Sequence, residues 1–381
     1  MFNPILERLD PYPTSTLQLW REEARARGLT VWDLGVGDPP TLLHPGARAA
    51  FLDAVPTAAS YPRQGPAVAA RAAAAGFLRR RYGAQLDPEA QVVLTTGSKE
   101  ASVLVPLLAV DRDSPRRGVL VPVPGYAAAL RGAVLAGAEL IPVPLQPPHF
   151  TPRVWELPEA VLSRAAVLWI NSPHNPTGAV MSREDLARTA AVCGERGILL
   201  ASDELYADLY QGEPPAGVLE VAERGVLAVH SLSKRAGFTA LGAGCVAGAA
   251  EVIARYRKLR DAYGAAPSDM VNAAAAVAWA DDAHPAEARQ VHARRRAALQ
   301  EGLEALGLEV LRTGATFYLW VRAPAPHDGL SWARALAARG VLVQAGAWFG
   351  ALGEARRWVR FAAVLEDYQQ ALAVIQGELE A

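Results

Sequence analysis

The sequence is poor in cysteine and has neither a strong net charge nor a long apolar run. Its two cysteines, Cys193 and Cys245, form no paired motif, which predicts free thiols in a reducing, cytoplasmic setting. A formal net charge of -1 gives no electrostatic basis for binding nucleic acid or an anionic membrane. Apolar stretches such as residues 271–280 are too short to span a bilayer, and charged residues and prolines interrupt the opening residues before a secretory signal forms.

Short apolar runs alternate with helical patterns through the middle of the chain. These runs are rich in Val, Ile and Leu, and they cover residues 92–95, 119–122, 166–171, 198–202 and 226–230. The alternation predicts an α/β fold in which a mostly parallel central sheet lies between helices. In such a sheet, ligands bind at the carboxyl ends of the strands.

The last third of the chain has a different pattern. Strand candidates at residues 316–322, 341–344 and 358–362 lie among amphipathic helices, which predicts a smaller α+β domain. We therefore predict a large domain over residues 36–280 and a small domain formed by residues 1–35 and 281–381. No internal repeat or long linker separates them, so the two are expected to pack together.

Three polar groups follow apolar runs at similar intervals. Most lysines are solvated surface charges, but Lys234 comes directly after residues 226–230, and a lysine held at a buried strand end can act as a nucleophile toward an aldehyde. Asp203 follows another run and needs a cationic partner, unless it only caps a helix. Asn175 lies in a stiff, proline-rich turn. The intervals, 203−175 = 28 and 234−203 = 31 residues, are each about one βαβ unit, so the three groups can meet at one sheet edge.

Short motifs in a fixed order extend this pattern over nearly the whole chain. They are Gly35-Val-Gly-Asp-Pro39, Tyr61-Pro-Arg-Gln-Gly65, Thr95-Thr-Gly-Ser-Lys-Glu100, Pro124-Gly-Tyr126, Asn175-Pro-Thr-Gly178, Asp203-Glu-Leu-Tyr206, Ser231-Leu-Ser-Lys234 and Trp358-Val-Arg-Phe-Ala-Ala-Val364. In these motifs the chain resembles the fold-type I aminotransferases of class I/II, which depend on pyridoxal 5′-phosphate (PLP). The resemblance implies the PLP-dependent transferase fold, PLP as the cofactor, and amino acids and 2-oxo acids as substrates.

The resemblance also implies roles for the residues around the cofactor ring. Lys234 binds PLP covalently and later moves the proton of the substrate's α-carbon. Asp203 pairs with the pyridinium nitrogen and keeps the ring an electron sink. Asn175 and Tyr206 hydrogen-bond the phenolic oxygen of the ring, and Tyr126 stacks on the ring face, although a tyrosine is more commonly a core residue. Lys234, Asp203 and Tyr206 form the implied catalytic set.

The phosphate of PLP has an implied site of its own. The helix that starts at Gly97, Ser98 and Lys99 would turn its backbone N–H groups toward an anion, and Ser231 would add a hydroxyl. Tyr61 matches a tyrosine that, in the family, reaches the phosphate of the neighbouring subunit. This implies a homodimer with shared active sites.

The substrate carboxylate is expected at Arg360. The planar fork of Arg360 can hold an α-carboxylate through two parallel hydrogen bonds, and the flanking strand-like residues argue against a plain surface arginine. Asn175 is expected beside Arg360, and Gly37 lets the backbone approach the same carboxylate closely.

One position departs from the family pattern. An arginine that binds the phosphate usually stands eight residues after the lysine, but here that position is Gly242. Either Arg235 or Lys99 supplies the missing charge, or PLP is held more weakly. A non-catalytic relative can lose this arginine too, but the retention of Lys234, Asp203 and Arg360 argues against that alternative.

Three further segments suggest a substrate. Residues 3–13, 230–235 and 315–320 are similar to N-succinyldiaminopimelate aminotransferases, which use glutamate as amino donor in lysine and peptidoglycan-precursor synthesis. That substrate has a distal carboxylate and a succinyl group, for which the candidate partners are Arg63, Lys99 and Arg322. Trp348 lies in a loop, residues 345–350, that corresponds to one near the substrate in the family.

Other functions stay open at this stage. An aspartate, aromatic or alanine aminotransferase is the nearest alternative, and a PLP carbon–sulfur β-lyase would use nearly the same residues but release ammonia and pyruvate. The PLP-binding half of a transcription regulator would need an N-terminal DNA-binding domain, whereas this chain starts almost directly with the enzyme-like region. The histidines show no metal-ligand spacing, so no metal is predicted.

Overall fold

The computed structural model describes residues 2–9, 13–38, 43–57, 61 and 64–380. The helices are α1 (Pro13–Ala26), α2 (Pro45–Asp53), α3 (Gln64–Tyr82), α4 (Ser98–Ala109), α5 (Ala127–Ala136), α6 (Glu159–Leu162), α7 (Arg183–Glu195), α8 (Leu232–Arg235), α9 (Ala250–Tyr263), α10 (Asp269–Ala280), α11 (Ala283–Ala305), α12 (Gly329–Ala338) and α13 (Gln369–Leu379). The strands are β1 (Trp32–Asp33), β2 (Val92–Thr95), β3 (Gly118–Val123), β4 (Glu139–Pro144), β5 (Ala165–Asn171), β6 (Leu199–Asp203), β7 (Val226–Ser231), β8 (Gly244–Gly248), β9 (Tyr318–Arg322), β10 (Val341–Leu342), β11 (Gln344–Ala345) and β12 (Trp358–Ala362).

The largest sheet has seven strands in the order β2-β8-β7-β6-β5-β3-β4. Strand β8 is antiparallel to both of its neighbours, and every other pair in the sheet is parallel. Side chains on successive residues enter different cores: Val119 and Val121 pack with residues of α4, α5 and α9, whereas Leu120 packs with residues of α6 and α7. The sheet is therefore buried on both faces, and the predicted α/β fold with a mostly parallel central sheet is confirmed.

The C-terminal part forms a second, smaller sheet. Strands β9, β12 and β11 pair antiparallel in the order β11-β12-β9, and β1 pairs in parallel with β10. Leu17 and Leu34, from the N-terminal segment, share an apolar core with Trp332 and Phe361 of this part. This shared core supports the proposed joining of residues 1–35 to residues 281–381, and the domain boundaries themselves stay a prediction.

The register of the large sheet positions the polar strand ends. Asn171 pairs with Asp203 across β5 and β6, and Asp203 pairs with Val229 across β6 and β7. The segments that carry Asn175 and Lys234 leave the sheet at this same edge, because they follow directly on β5 and β7. The sheet thus brings the three spaced motifs together.

Candidate active site

A cavity of about 470 Å³ lies at the carboxyl ends of β5, β6 and β7. Residues of the smaller sheet and of its adjoining loop close the other side, among them Tyr318, Gln344 and Arg360. The sequence-predicted residues that line the cavity are Gly37, Gly97, Ser98, Lys99, Tyr126, Asn175, Asp203, Tyr206, Lys234 and Arg360. Trp348, predicted to lie near the substrate, also lines it. Within the described residues, no cluster of His, Cys, Asp or Glu has the arrangement of a metal site.

Lys234 lies on the short helix α8, directly after β7, and its ammonium group faces the cavity. Its Nζ donates a hydrogen bond to the carbonyl oxygen of Gly37 at 2.7 Å. Burial lowers the pKa of Lys234 to about 8; the Asp38 carboxylate opposes this shift, and the Arg360 guanidinium adds to it. The amine is therefore partly neutral near physiological pH, which is the state that attacks a carbonyl carbon.

Asp203 is a buried carboxylate at the end of β6. Burial raises the pKa of Asp203 to about 7, and Glu204 adds to the shift, while a hydrogen bond from the Leu205 N–H opposes it. No cationic side chain in the described part of the chain pairs with Asp203. A carboxylate in this position gains a partner when a protonated ring nitrogen enters the cavity.

The neighbouring Glu204 is also buried, but its contacts hold other parts of the fold and do not face the cavity. Its Oε1 accepts a hydrogen bond from the Val218 N–H at 2.7 Å, and its Oε2 lies 3.3 Å from Nε2 of His230. Burial lowers the pKa of His230 to about 3, so this imidazole is neutral. Glu204 does not line the cavity, and it offers a matched comparison for Asp203.

Arg360 is buried in β12 and held on several sides. Its Nη1 donates to Oδ1 of Asn175 at 2.9 Å, and its Nη2 donates to the carbonyl oxygen of Gly35. The guanidinium carbon lies 4.2 Å from the centre of the Tyr318 ring. These contacts fix the plane of the guanidinium at the cavity wall, as bidentate carboxylate binding requires.

The helix start at Gly97, Ser98 and Lys99 opens onto the cavity. Gly97 has a φ of 105° and no side chain caps the 12-residue helix α4, so its first backbone N–H groups can receive an anion. Ser231 does not line the cavity: its hydroxyl contacts that of Ser233 at 3.0 Å. Its role at the phosphate stays a prediction, and Ser233 itself lines the cavity.

Gly242 stands at the position where the family usually has the arginine that binds the phosphate. It lines the cavity with a φ of 64°, and a Cβ at this position would lie 3.0 Å from the carbonyl oxygen of Thr96. An arginine here would strain the turn. The expectation that Arg235 supplies the missing charge is wrong, because its guanidinium is buried against Asp208 and Asp282 at 2.9 and 2.6 Å and does not reach the cavity. A charge from Lys99, which lines the cavity, and weaker binding of PLP remain as the two alternatives.

The remaining predicted residues lie elsewhere. Tyr61 is 93% exposed and does not line the cavity of its own chain. A residue that reaches into a neighbouring subunit would be exposed in this way in the single chain. Arg322 pairs with Glu309 and Glu354 at 3.5 and 2.8 Å, so it is not brought to the site. Arg63 lies outside the described residues.

Tyr318 and Gln344 are among the cavity-lining residues that sequence reasoning did not single out. Tyr318 begins β9, and its hydroxyl lies 3.0 Å from that of Tyr206. Gln344 pairs with Arg360 across β11 and β12 and is 6% exposed. The signal at Gln344 was a polar residue within an otherwise apolar run, whereas nothing in the local sequence separates Tyr318 from a core tyrosine.

The cavity combines a buried lysine, a buried acid with no cationic partner among the described residues, and a fixed arginine. This combination is the one expected of a PLP-dependent transferase. Residues 30–375 match the family described as Aminotransferase class I and II. The chain is 34% identical to the LL-diaminopimelate aminotransferase of Desulforudis audaxviator, over 92% of this chain and 90% of that protein. It is 32% identical to the LL-diaminopimelate aminotransferase of Aquifex aeolicus, over 93% and 92%.

Two solved structures from Thermus thermophilus have the same fold. A double mutant of aspartate aminotransferase aligns with a TM-score of 0.91 at 26% identity, covering 99% of both chains. A probable N-succinyldiaminopimelate aminotransferase aligns with a TM-score of 0.89 at 25% identity, covering 96% of this chain and 99% of that one. The chain belongs to the aminotransferase class I and II family, and it is a PLP-dependent transaminase of amino acids and 2-oxo acids.

Proposed function

We propose that the enzyme moves an amino group between glutamate and a diaminopimelate-related substrate, with Lys234 as the residue that carries PLP. The observation that supports the site assignment is the meeting of Lys234, Asp203 and Arg360 on one cavity. The observation that supports the substrate is the similarity to diaminopimelate-related aminotransferases in both sequence and structure.

The residues present fit PLP at each of its polar groups. Asp203 would pair with the ring nitrogen, since burial raises its pKa and no described cation satisfies it. Asn175 and Tyr206 would donate to the phenolic oxygen, and Tyr126 would cover the ring face. The start of α4 would bind the phosphate through backbone N–H groups, as helix N-termini bind anions in general.

When bound, PLP supplies an electron sink for the negative charge that forms on the α-carbon. Arg360 holds the substrate α-carboxylate and so presents the α-carbon to Lys234. The Nζ of Lys234 would accept the proton of the substrate's α-carbon and would hold it within reach of the cofactor's aldehyde carbon, the other position between which the proton moves. The carbonyl oxygen of Gly37 accepts a hydrogen bond from Nζ at 2.7 Å and so orients the amine for this proton movement.

The pKa of Lys234 sets the pH dependence of cofactor capture. Only the neutral amine attacks the aldehyde, so the rate at which the PLP-free enzyme captures PLP is expected to rise with pH and to reach half its maximum near the pKa of about 8. Stopped-flow absorbance between pH 6.5 and 10 measures this rate. A rate that is still rising without a plateau at pH 10, as the ordinary lysine value of 10.5 requires, would show that burial does not lower the pKa of this amine.

A panel of amino donors with 2-oxoglutarate as the acceptor tests the proposed substrate. Glutamate formation from 2-oxoglutarate is measured with LL-diaminopimelate, N-succinyl-LL-2,6-diaminopimelate, aspartate or phenylalanine as donor. We expect the highest kcat/KM with one of the two diaminopimelate donors. Preference for aspartate would assign the activity of the structural relative from Thermus thermophilus. Release of ammonia and pyruvate from cystathionine, without glutamate formation, would favour the β-lyase.

We further propose that the enzyme is a homodimer in which Tyr61 completes the partner's site. Its side chain is 93% exposed in the single chain, and apolar side chains at Phe2, Leu6, Leu52 and Val55 are at least half exposed as well. A dimer would cover such residues. Light scattering of the purified enzyme gives the assembly state.

Mixed dimers test whether the active sites are shared. A heterodimer of one Lys234→Ala chain and one Tyr61→Phe chain would contain one site with both side chains intact. At a PLP concentration too low to load the Tyr61→Phe homodimer, this heterodimer is expected to recover about half of the wild-type activity. The two homodimers are the controls. Recovery no greater than that of the Tyr61→Phe homodimer would place Tyr61 outside the partner's site.

The cytoplasmic location is also a proposal. Cys193 and Cys245 are both buried and unpaired, and burial raises the pKa of each thiol to about 12, so neither is poised for disulfide exchange. No helix in the described ranges is long and apolar enough to cross a membrane. Fractionation of cells that express the full chain tests the location.

A further inference from the structure

Tyr318 contacts three groups of the active site from the opposite sheet. It is 2% exposed, and its hydroxyl lies 3.0 Å from the hydroxyl of Tyr206. The Arg360 guanidinium lies 4.2 Å from the centre of its ring. Its hydroxyl also packs so closely on Gly37 that a Cβ at that position would overlap it. Tyr318 thus touches Tyr206, Arg360 and Gly37 at once.

The hydroxyl of Tyr318 fixes that of Tyr206. Burial raises the pKa of Tyr206 well above its ordinary value, so Tyr206 keeps its proton. Either hydroxyl can donate the hydrogen bond that joins them, and with Tyr318 as the donor the Tyr206 proton points into the cavity. A donor prepared in this way stabilises negative charge on the acceptor it faces.

The ring of Tyr318 fixes Arg360. A guanidinium stacked on an aromatic face is held in plane by the negative charge of the ring face and by dispersion. The Asn175 contact at 2.9 Å holds one edge of the same guanidinium. The Phe349 ring lies 5.0 Å from the guanidinium carbon, so without the Tyr318 ring Arg360 would keep its edge contacts and Phe349 but lose the closer of its two aromatic surfaces.

Tyr318 is itself held by its own strand. Its backbone N–H donates to the Thr316 hydroxyl at 3.0 Å, and Thr316 has a positive φ of 62°. The Phe317 ring packs 4.6 Å from the Tyr318 ring, centre to centre, and fills the space behind it. The Thr316 contact therefore holds the backbone at Tyr318, and burial against Phe317 holds its ring.

We propose that Tyr318 is a positioning residue that orients the Tyr206 hydroxyl through its own hydroxyl and the Arg360 guanidinium through its ring. This inference rests on the proposed roles of Tyr206 and Arg360. It predicts that the two halves of the side chain act on different kinetic constants. The hydroxyl affects the chemistry at the cofactor, whereas the ring affects the binding of the substrate carboxylate.

Two variants of the holoenzyme separate these effects. Tyr318→Phe removes only the hydroxyl, so kcat is expected to fall about tenfold with little change in the KM for glutamate. The pH midpoint of the visible absorbance of bound PLP should move upward, because a less well oriented Tyr206 stabilises the phenolate of the ring less. Tyr318→Leu also removes the ring, and the KM for glutamate should rise about tenfold further.

Tyr368→Phe is the matched control. Tyr368 is equally buried, but it lies in the apolar core of the small sheet and does not line the cavity. It should leave kcat, KM and the absorbance midpoint unchanged. A Tyr318→Phe enzyme with wild-type kcat and midpoint would overturn the inference, even if Tyr318→Leu fails to fold. A wild-type enzyme that binds no PLP would instead overturn the proposed site, and this inference with it.

Discussion

Replacement of Lys234 by alanine is expected to lower kcat by about 10⁴-fold, the upper end of what a positioned acid–base group contributes. The loss is large because one amine both holds the cofactor and moves the α-proton. Its Nζ is fixed 2.7 Å from the Gly37 carbonyl, and a replacement base has no such anchor. Glutamate-dependent amino transfer at saturating PLP measures the effect, and thermal melting shows whether the variant is folded.

The chain offers a sharp control for this result. Lys99, Lys234 and Lys258 are its lysines, and Lys258 is exposed on α9, far in sequence from every cavity residue of the large sheet. Lys258→Ala should therefore retain wild-type activity. Reduction of the PLP-loaded enzyme with borohydride, followed by peptide mass spectrometry, should place the cofactor on the peptide with Lys234. Attachment at Lys99 instead would show that the site has been assigned to the wrong lysine.

The sequence predicts the large sheet well because the sheet is buried on both faces. The central strands β5, β6 and β7 are mainly apolar runs, and their last residues, Asn171, Asp203 and Ser231, are polar and mark the carboxyl edge. The sequence alone therefore predicted that Asp203 and Lys234 lie close together. In the structure, the register of β5, β6 and β7 brings both to the same cavity. Their pKa shifts could not be predicted in the same way, because they depend on how completely the opposite sheet covers the cavity.

Long-range ion pairs are where sequence reasoning failed. Arg235 directly follows Lys234 and looked able to reach the phosphate, but Asp208 and Asp282 bind it from 27 and 47 residues away. Arg322 looked like a substrate ligand, and it pairs with surface glutamates instead. A local motif shows which cations lie near a site in sequence. It does not show which carboxylates the fold brings to them.

The contributions of the small sheet were also hidden. Tyr318 and Gln344 reach the cavity only because β9 and β11 flank β12, which carries Arg360. Sequence alone suggested these strands but not their order. Gln344 became a neighbour of Arg360 through a cross-strand pairing that no local pattern specifies. Arg360 could be predicted from its own motif, whereas Gln344 and Tyr318 depend on strand neighbours that only the fold specifies.

Replacement of Asp203 by asparagine is expected to lower kcat by about 10³-fold, the scale found when a preorganised electrostatic partner is removed. Asparagine fills the same space but cannot carry the negative charge that keeps a ring nitrogen protonated. Asp203→Glu should recover part of the activity, because it restores the charge at a shifted position. Single-turnover absorbance changes with glutamate measure the first half-reaction directly.

Glu204→Gln is the matched control for Asp203→Asn. It changes the adjacent buried carboxylate, keeps an oxygen to accept the Val218 N–H, and leaves the cavity wall untouched. Its activity should stay within about threefold of the wild type, since an isosteric change that keeps the hydrogen bond disturbs packing little. Equal losses in both variants would mean that Asp203 acts through the local structure and not through its charge.

Asp203→Asn, which is expected to lower kcat, should raise the stability of the PLP-free enzyme. Burial raises the folded-state pKa of Asp203 to about 7 from 3.8, so the unfolded chain gives up this proton more readily than the folded one. Stability is therefore lost as the pH rises from about 4 to 7, and the loss persists above that. Asp203→Asn removes this term, and its PLP-free form should melt at a higher temperature than the wild type at pH 8. A variant that melts higher but turns over about 10³-fold more slowly would show that this carboxylate is kept in the core for its charge on the cofactor.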